Sequence, residues 1–454
     1  MSVGASPSLN FIGDTVGDTA PHKMSEMYGV RFASGNSPTS GTISLSDFRN
    51  QTISPIWPEQ QKIQASDKGA GYQFGGEVSI SGDGNTAIVS AIYQSFGSDE
   101  GSAYIFTRSG TTWTEQQKIK ASDKAAGDVF GSSVSISSDG NTAIVGATNE
   151  DTGGTDAGAA YIFTRSGTTW TEQQKIQASD KQAYDYFGIS VSISGDGNTV
   201  IVGADNEDTG GTDAGAAYIF TRSGTTWSQQ QKIQANDKAV GDFFGTSVSI
   251  SSDGNTAIVG ATYEDTGDTD AGAAYIFTRS GTTWSQQQKI QASDKEAYDY
   301  FGTSVSISGD GNTVIVGASS EDTGDTDAGA AYIFTRSGTT WSQQQKIQAS
   351  DKAAYSYFGG SVSISSDGNT AIVGAINEAT VGSYVGVAYI FTRSGTTWTE
   401  YTKIQASDKE AYDYFGTSVS ISGDGNTVIV GAYAEDTGGT TAGAAYIFNK
   451  SYFV

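Results

Sequence analysis

Polar and apolar residues alternate along Ser190-Val191-Ser192-Ile193-Ser194, the pattern of a strand with one face buried. Residues 199–203 and 216–221 follow as short, mostly apolar runs rich in Val, Ile, Tyr and Phe, which predicts strands covered on both faces. A fourth run begins at Trp227 and reaches Gln234. Gly195-Asp196-Gly197-Asn198 separates the first pair and Arg222-Ser223-Gly224 the last. Both are hairpin chemistry, because Gly and Asn accept the positive φ of tight turns.

The whole group recurs. Its opening Phe-Gly stands at Phe74, Phe130, Phe187, Phe244, Phe301, Phe358 and Phe415, with a first step of 56 residues and later steps of 57. A fixed period of this kind marks a repeat architecture, and a four-stranded meander repeated radially is a β-propeller blade. No unit has a long helical period, which argues against a helical solenoid. A β-solenoid, whose rungs are shorter, ranks second. Trp57, Trp113, Trp170, Trp227, Trp284, Trp341 and Trp398 each open a fourth strand, yet the seventh unit reaches only its third strand by Phe448. The missing strand lies at the other end, from Ile56 to Ile63. Such an offset suits a ring in which this strand completes the last blade and removes two exposed edges. The expected fold is therefore all-β, a seven-bladed propeller of four-stranded antiparallel blades over residues 54–454, preceded by an arm at 1–53.

Composition narrows the function. A net charge of −25 speaks against nucleic-acid binding, which needs basic clusters, and favours a particle that resists self-association and attracts cations. There is no run of 18 apolar residues, so no transmembrane helix is expected, and the first residues lack a cleaved-signal pattern. Cysteine is absent and His22, in the arm, is the one histidine. Thiol and His-based catalysis are thereby excluded on the ring. Paired carboxylates recur equally in most blades, whereas an active site would single out one or two. A non-enzymatic binder is expected, with no required cofactor.

The order Phe187-Gly188, Asp196-Gly197, Val202-Gly203-Ala204 and Gly215-Ala216-Ala217-Tyr218-Ile219-Phe220 resembles the FG-GAP repeat of the integrin α-chain propeller and its microbial relatives. Seven copies carry the resemblance over residues 54–454, and it implies a propeller that binds other macromolecules. One departure matters. The calcium loop of integrin-type blades is reduced here to Ser-Gly-Asp-Gly-Asn or Ser-Ser-Asp-Gly-Asn, with one carboxylate where calcium wants six to eight oxygens. That family site does not carry over. In the arm, Asn10-Phe11-Ile12-Gly13-Asp14, residues 20–29 and residues 41–48 resemble short segments of tailed-phage structural proteins, especially from marine hosts. This resemblance implies a virion location, with the arm contacting other virion proteins.

The seven internal copies differ mainly in two loops, one after the fourth strand and one after the second. In a meander these emerge on the same face, and loops on a rigid scaffold are where binding usually sits. That face is expected to present Tyr184, Asp185, Tyr298, Asp299, Tyr355, Tyr384, Tyr412 and Asp413 to a ligand, since Tyr offers apolar area with a polar tip. The Tyr or Phe just before each Phe-Gly is expected to pack between blades. The acidic loop offers sets for a weak, optional calcium ion: Glu150, Asp151 and Asp156; Glu207, Asp208 and Asp213; Glu264, Asp265 and Asp270; Glu321, Asp322 and Asp327. The favoured alternative is a solvated acidic turn in which Asp accepts local backbone N–H bonds. Blades one and six break this loop, at Gln94-Ser95-Phe96-Gly97 and Val381-Gly382-Ser383-Tyr384. The seven Trp are expected to fill blade interfaces, and pairs such as Asp180-Lys181 to be surface ion pairs.

The expected function is a virion structural protein of a tailed phage that attaches to a host-surface glycan or protein. It would insert in no membrane, and a homo-oligomer within the virion is compatible with it. A bacterial extracellular adhesin and a passive capsid or tail decoration are the alternatives.

Overall fold

In the computed structural model, residues 55–93, 99–377 and 383–451 are described. The chain divides into two compact units, Glu59–Ile447 and a smaller one of Met1–Pro58 with Phe448–Val454. Within the smaller unit the backbones of Ile56 and Ser451 exchange hydrogen bonds of 2.7 and 2.9 Å. The expected arm at 1–53, with His22, lies outside the described residues, as does the Gln94–Gly97 loop.

The large unit is a seven-bladed propeller of four-stranded antiparallel sheets. Blade 3 is typical, with strands Val191–Ile193, Thr199–Ala204, Ala216–Ser223 and Thr226–Ile233 in sheet order one to four. Val191 pairs with Val202, Val200 with Phe220 and Arg222 with Trp227. The second strand and the apolar part of the third are fully buried, as their continuous apolar runs require. In blade 7 the order is Glu59–Ile63, Ala444–Asn449, Thr427–Ala432, Val419–Ile421. The strand from the front of the chain completes the last sheet, as expected.

The Phe-Gly and Gly-Ala motifs seal one blade to the next. Gly158, ahead of the third strand of blade 2, forms a parallel bridge with Phe187 of blade 3, and the same bridge joins Phe74 to Gly443 where the ring closes. A Cβ on Gly158 would stand 2.1 Å from the Phe187 carbonyl oxygen, and its φ is +81°. Only glycine fits that close approach. The Phe187 ring, wholly buried, meets Tyr218 and Phe220 edge-on at 5.5 and 6.0 Å.

Packing is correspondingly distributed. One cluster combines Ile144, Ala160 and Ile162 of blade 2 with Val200, Tyr218 and Trp227 of blade 3, so apolar contact runs from blade to blade around the ring. The outer strands are tied as well. The Gln174 carboxamide donates to the Trp227 carbonyl at 2.9 Å and accepts from the Trp227 N–H at 2.8 Å. At the corresponding place in the sixth blade stands Thr402, whose hydroxyl donates to the Lys403 carbonyl.

Candidate functional site

The constant turns hold themselves together. In blade 3 the Asp196 carboxylate accepts from the Ser194 hydroxyl at 2.6 Å and the Asn198 N–H at 3.0 Å. The Asn198 amide oxygen accepts from Arg222 Nε at 3.1 Å. Gly197 supplies the left-handed residue at φ +66°. Every polar group that recurs in this turn has a local structural use, which explains its repetition.

The two variable loops meet on the other face. Tyr184 N–H donates to the Thr155 carbonyl of the preceding blade at 2.8 Å, and Tyr186 N–H to the Asp156 carbonyl at 3.2 Å. The same bond joins Tyr298 to Thr269, Tyr355 to Thr326 and Tyr412 to Ser383. Tyr184, Tyr298, Tyr355 and Tyr412 are 50–57% exposed. Their backbones are left-handed, at φ +69°, +69°, +63° and +69°. The equivalent residues in blades 1, 2 and 4 are Gly71, Gly127 and Gly241, also at positive φ. Gly241 N–H makes the same bond to the preceding blade, to Thr212 at 2.9 Å. The loop therefore closes without a side chain here, and a left-handed non-glycine residue costs about 1–2 kcal/mol. Four blades nonetheless place a large aromatic at this point and leave it in solvent.

The tyrosines extend into a strip at blades 6 and 7. Tyr384 lies 5.9 Å from Tyr412 and 5.0 Å from Tyr414, which stacks on Tyr433 at 5.0 Å with 24° between the rings. The departure of blade 6 from the acidic-loop pattern thus ends in Tyr384, another left-handed residue, at φ +52°. Residues 378–382 of that loop lie outside the described residues. The residues before each Phe-Gly, such as Tyr186 and Tyr300, are half-buried.

The loop aspartates are not presented with the tyrosines. Asp185, Asp299 and Asp413 are 2–4% exposed, each turned back to accept a backbone N–H three residues earlier, from Gln182, Glu296 and Glu410 at 2.6–2.7 Å. Burial pushes the Asp185 and Asp413 carboxyls up to about 6 and Asp299 to about 7. The reason is local: a short loop ending in Phe-Gly needs an acceptor for its first free N–H, and Asp supplies it.

The acidic sets do not assemble around a cation. Glu150 is buried and faces inward, accepting from Lys175 at 2.6 Å and Gln177 at 3.0 Å. Glu207, Glu264 and Glu321 do the same with Lys232, Lys289 and Lys346. Asp151, Asp208, Asp265 and Asp322 accept the backbone N–H of Asp156, Asp213, Asp270 and Asp327. Among the described residues no three His, Cys, Asp or Glu side chains gather where they could hold a metal ion. Asp180 also has another partner than its neighbour Lys181. It takes the Lys232 ammonium at 2.8 Å and the Tyr218 hydroxyl at 3.0 Å. The lysine thus bridges the interblade loop and the buried glutamate. In the matching Lys175, burial works against the charge, but hydrogen bonds to Asp123 and Glu150 more than offset it and raise its pKa.

Fold and site together define a seven-bladed propeller with one self-satisfied face and one aromatic face. The sequence pattern of the FG-GAP repeat matches seven times, over residues 57–106, 113–163, 170–220, 227–277, 284–334, 341–391 and 398–448. The chain belongs to the FG-GAP repeat family. Each matched segment begins at a Trp in a fourth strand, or two residues ahead of it in the case of Trp57, and ends at a third-strand Phe, so it straddles two blades. No curated protein matches the chain. An FG-GAP propeller points to a domain of the binding or adhesion type.

Proposed function

We propose that the protein is a non-enzymatic attachment propeller whose tyrosine face adheres to a glycan or protein on a cell surface. The observation that carries this reading is the set Tyr184, Tyr298, Tyr355 and Tyr412, aromatic and exposed at left-handed positions where other blades have glycine. Backbone strain kept at exposed positions is characteristic of functional sites, and flat amphipathic rings suit saccharide faces and protein surfaces alike. In the finer form of the proposal the propeller is displayed on a tailed-phage virion and binds the host, with residues 1–53 joined to other virion proteins. The resemblance of segments within the arm to tailed-phage structural proteins is what supports that placement.

The test is binding of the full-length chain to intact bacterial cells and to an array of surface glycans, with and without chelator. Saturable binding lost on combined Tyr184→Gly, Tyr298→Gly, Tyr355→Gly and Tyr412→Gly substitution is the expected result. Binding that survives all four substitutions would sink the reading.

A further inference from the structure

The inner strands of the seven blades surround a central cavity of about 210 Å3, lined by Glu77 and by residues such as Ser133, Ser190, Ser247, Ser304 and Thr417. Among these inner strands Glu77 is the one ionisable side chain. The other six blades have serine at its place: Ser133, Ser190, Ser247, Ser304, Ser361 and Ser418. Each of those hydroxyls bonds the backbone of the next blade. Four donate to the carbonyls of Gly188, Gly245, Gly302 and Gly359, at 3.0, 2.7, 2.7 and 2.8 Å. Two accept, from Val419 N–H at 3.0 Å and from Val78 N–H at 2.9 Å. Blade 1 gives up this interblade serine for a carboxylate facing the cavity.

Glu77 has no basic partner among the described residues. The strands packed on its own strand, Phe74–Ile80, are Thr86–Ala91, Phe130–Ile136, Val419–Ile421 and Thr427–Ala432, and none carries a titratable group. Burial raises its carboxyl to about 7, against a hydrogen bond from Ser418 that favours ionisation. The strand enters the cavity from the tyrosine face, and Glu77 is the third residue past Phe74, about 10 Å along it.

We infer that this cavity binds a small primary ammonium group, with Glu77 as its counter-ion and the surrounding hydroxyls as further acceptors. An ammonium offers three N–H donors and no acceptor, which matches one carboxylate ringed by hydroxyl oxygens. One carboxylate is too few for calcium. An anion would meet both Glu77 and a chain of net charge −25. Such an ammonium could be carried by a lysine side chain or by an amino sugar, and the inference stands whether or not the tyrosine face is an attachment surface.

The experiment is a saturation-transfer NMR titration of the full-length protein with n-butylamine, a lysine side-chain analogue, and with glucosamine, run beside Glu77→Ser. That substitution restores the residue of the other six blades, and its melting temperature verifies that it folds. At least one probe is expected to bind saturably and to lose about tenfold or more in affinity in Glu77→Ser. Whichever probe binds more tightly identifies the source of the amine. If n-butylamine binds, its affinity is expected to rise at least about tenfold between pH 5 and 8 as Glu77 ionises. No binding by either probe, equal binding by Glu77→Ser, or n-butylamine binding independent of pH would overturn the inference.

Discussion

The two faces of the ring are built from the same four strands yet treat their residues in opposite ways. On one face Ser194, Asp196, Gly197 and Asn198 satisfy one another, and the left-handed position belongs to glycine. On the other, Tyr184 and its counterparts occupy left-handed positions that glycine fills in blades 1, 2 and 4, and their rings remain in solvent. The first face obeys local backbone preference, and its hydrogen-bonding Ser, Asp, Gly and Asn repeat without change. The second departs from it at the Tyr184 position in some blades and not in others. Repetition by itself therefore marks structure here, and the departures from both repeat and preference mark where a ligand is to be sought.

The largest expected effect tests the scaffold both faces share. Phe301 is wholly buried against Tyr332 and Phe334, so Phe301→Ala is expected to cost about 3–5 kcal/mol in denaturant unfolding. A cost below about 1 kcal/mol would show that the junctions do not hold the ring together.

The next pair sets the faces directly against each other. Asp253→Ala removes the acceptor used by Ser251 and Asn255 and is expected to destabilise by about 1–3 kcal/mol. Tyr298→Gly relieves about 1–2 kcal/mol of left-handed cost and forfeits about 0.5–1 kcal/mol to the freer unfolded glycine. A net gain of roughly 0.5–1 kcal/mol is expected. Destabilisation by Tyr298→Gly comparable to that of Asp253→Ala would erase the contrast.

A smaller effect concerns pH. Asp185, Asp242 and Asp413 are raised by burial to about 6 and Asp299 to about 7. The folded state keeps protons there that the unfolded chain releases in the ordinary carboxylate range. Their stabilising contribution is complete below about pH 4 and is lost as pH rises through 6 to 7. Melting temperature is expected to fall over that window, and Asp299→Asn, which keeps the acceptor for Glu296 N–H, to flatten the fall. A fall unchanged in Asp299→Asn would remove Asp299 as a contributor.

Much of this was legible in the chain. Alternation at residues 190–194, the constant Gly-containing turns and the displaced strand at Glu59–Ile63 sufficed for blade, ring and closure, because each follows from local periodicity and from the need to cover sheet edges. The exposure of Tyr184, Tyr298, Tyr355 and Tyr412 was also within reach, since loop position alone implies it. The loop carboxylates were legible only in part: Asp151 and its counterparts accept local backbone N–H bonds as an acidic turn requires, but the placement of Asp185 and Glu150 was not legible. Whether Asp185 faces solvent or caps Gln182 N–H depends on which backbone group lies bare three residues away, and Glu150 turns inward because Lys175 and Gln177 of the outer strand wait there. The first is a matter of one loop's backbone geometry and the second a tertiary contact, and neither has a signature in acidic composition. Glu77 carried a signal that reading for loops passes over: it is the one charge at a position where six copies have serine. The left-handed tyrosines had one as well, in the alignment of Tyr184 with Gly71, Gly127 and Gly241.

The most direct measurement combines stability and cell binding in the single variant with Tyr184, Tyr298, Tyr355 and Tyr412 all replaced by glycine. The account predicts a protein that melts no lower than the wild type and no longer adheres to cells that the wild type binds. A variant that melts lower and still adheres would mean that these rings serve the fold and that the binding face lies elsewhere.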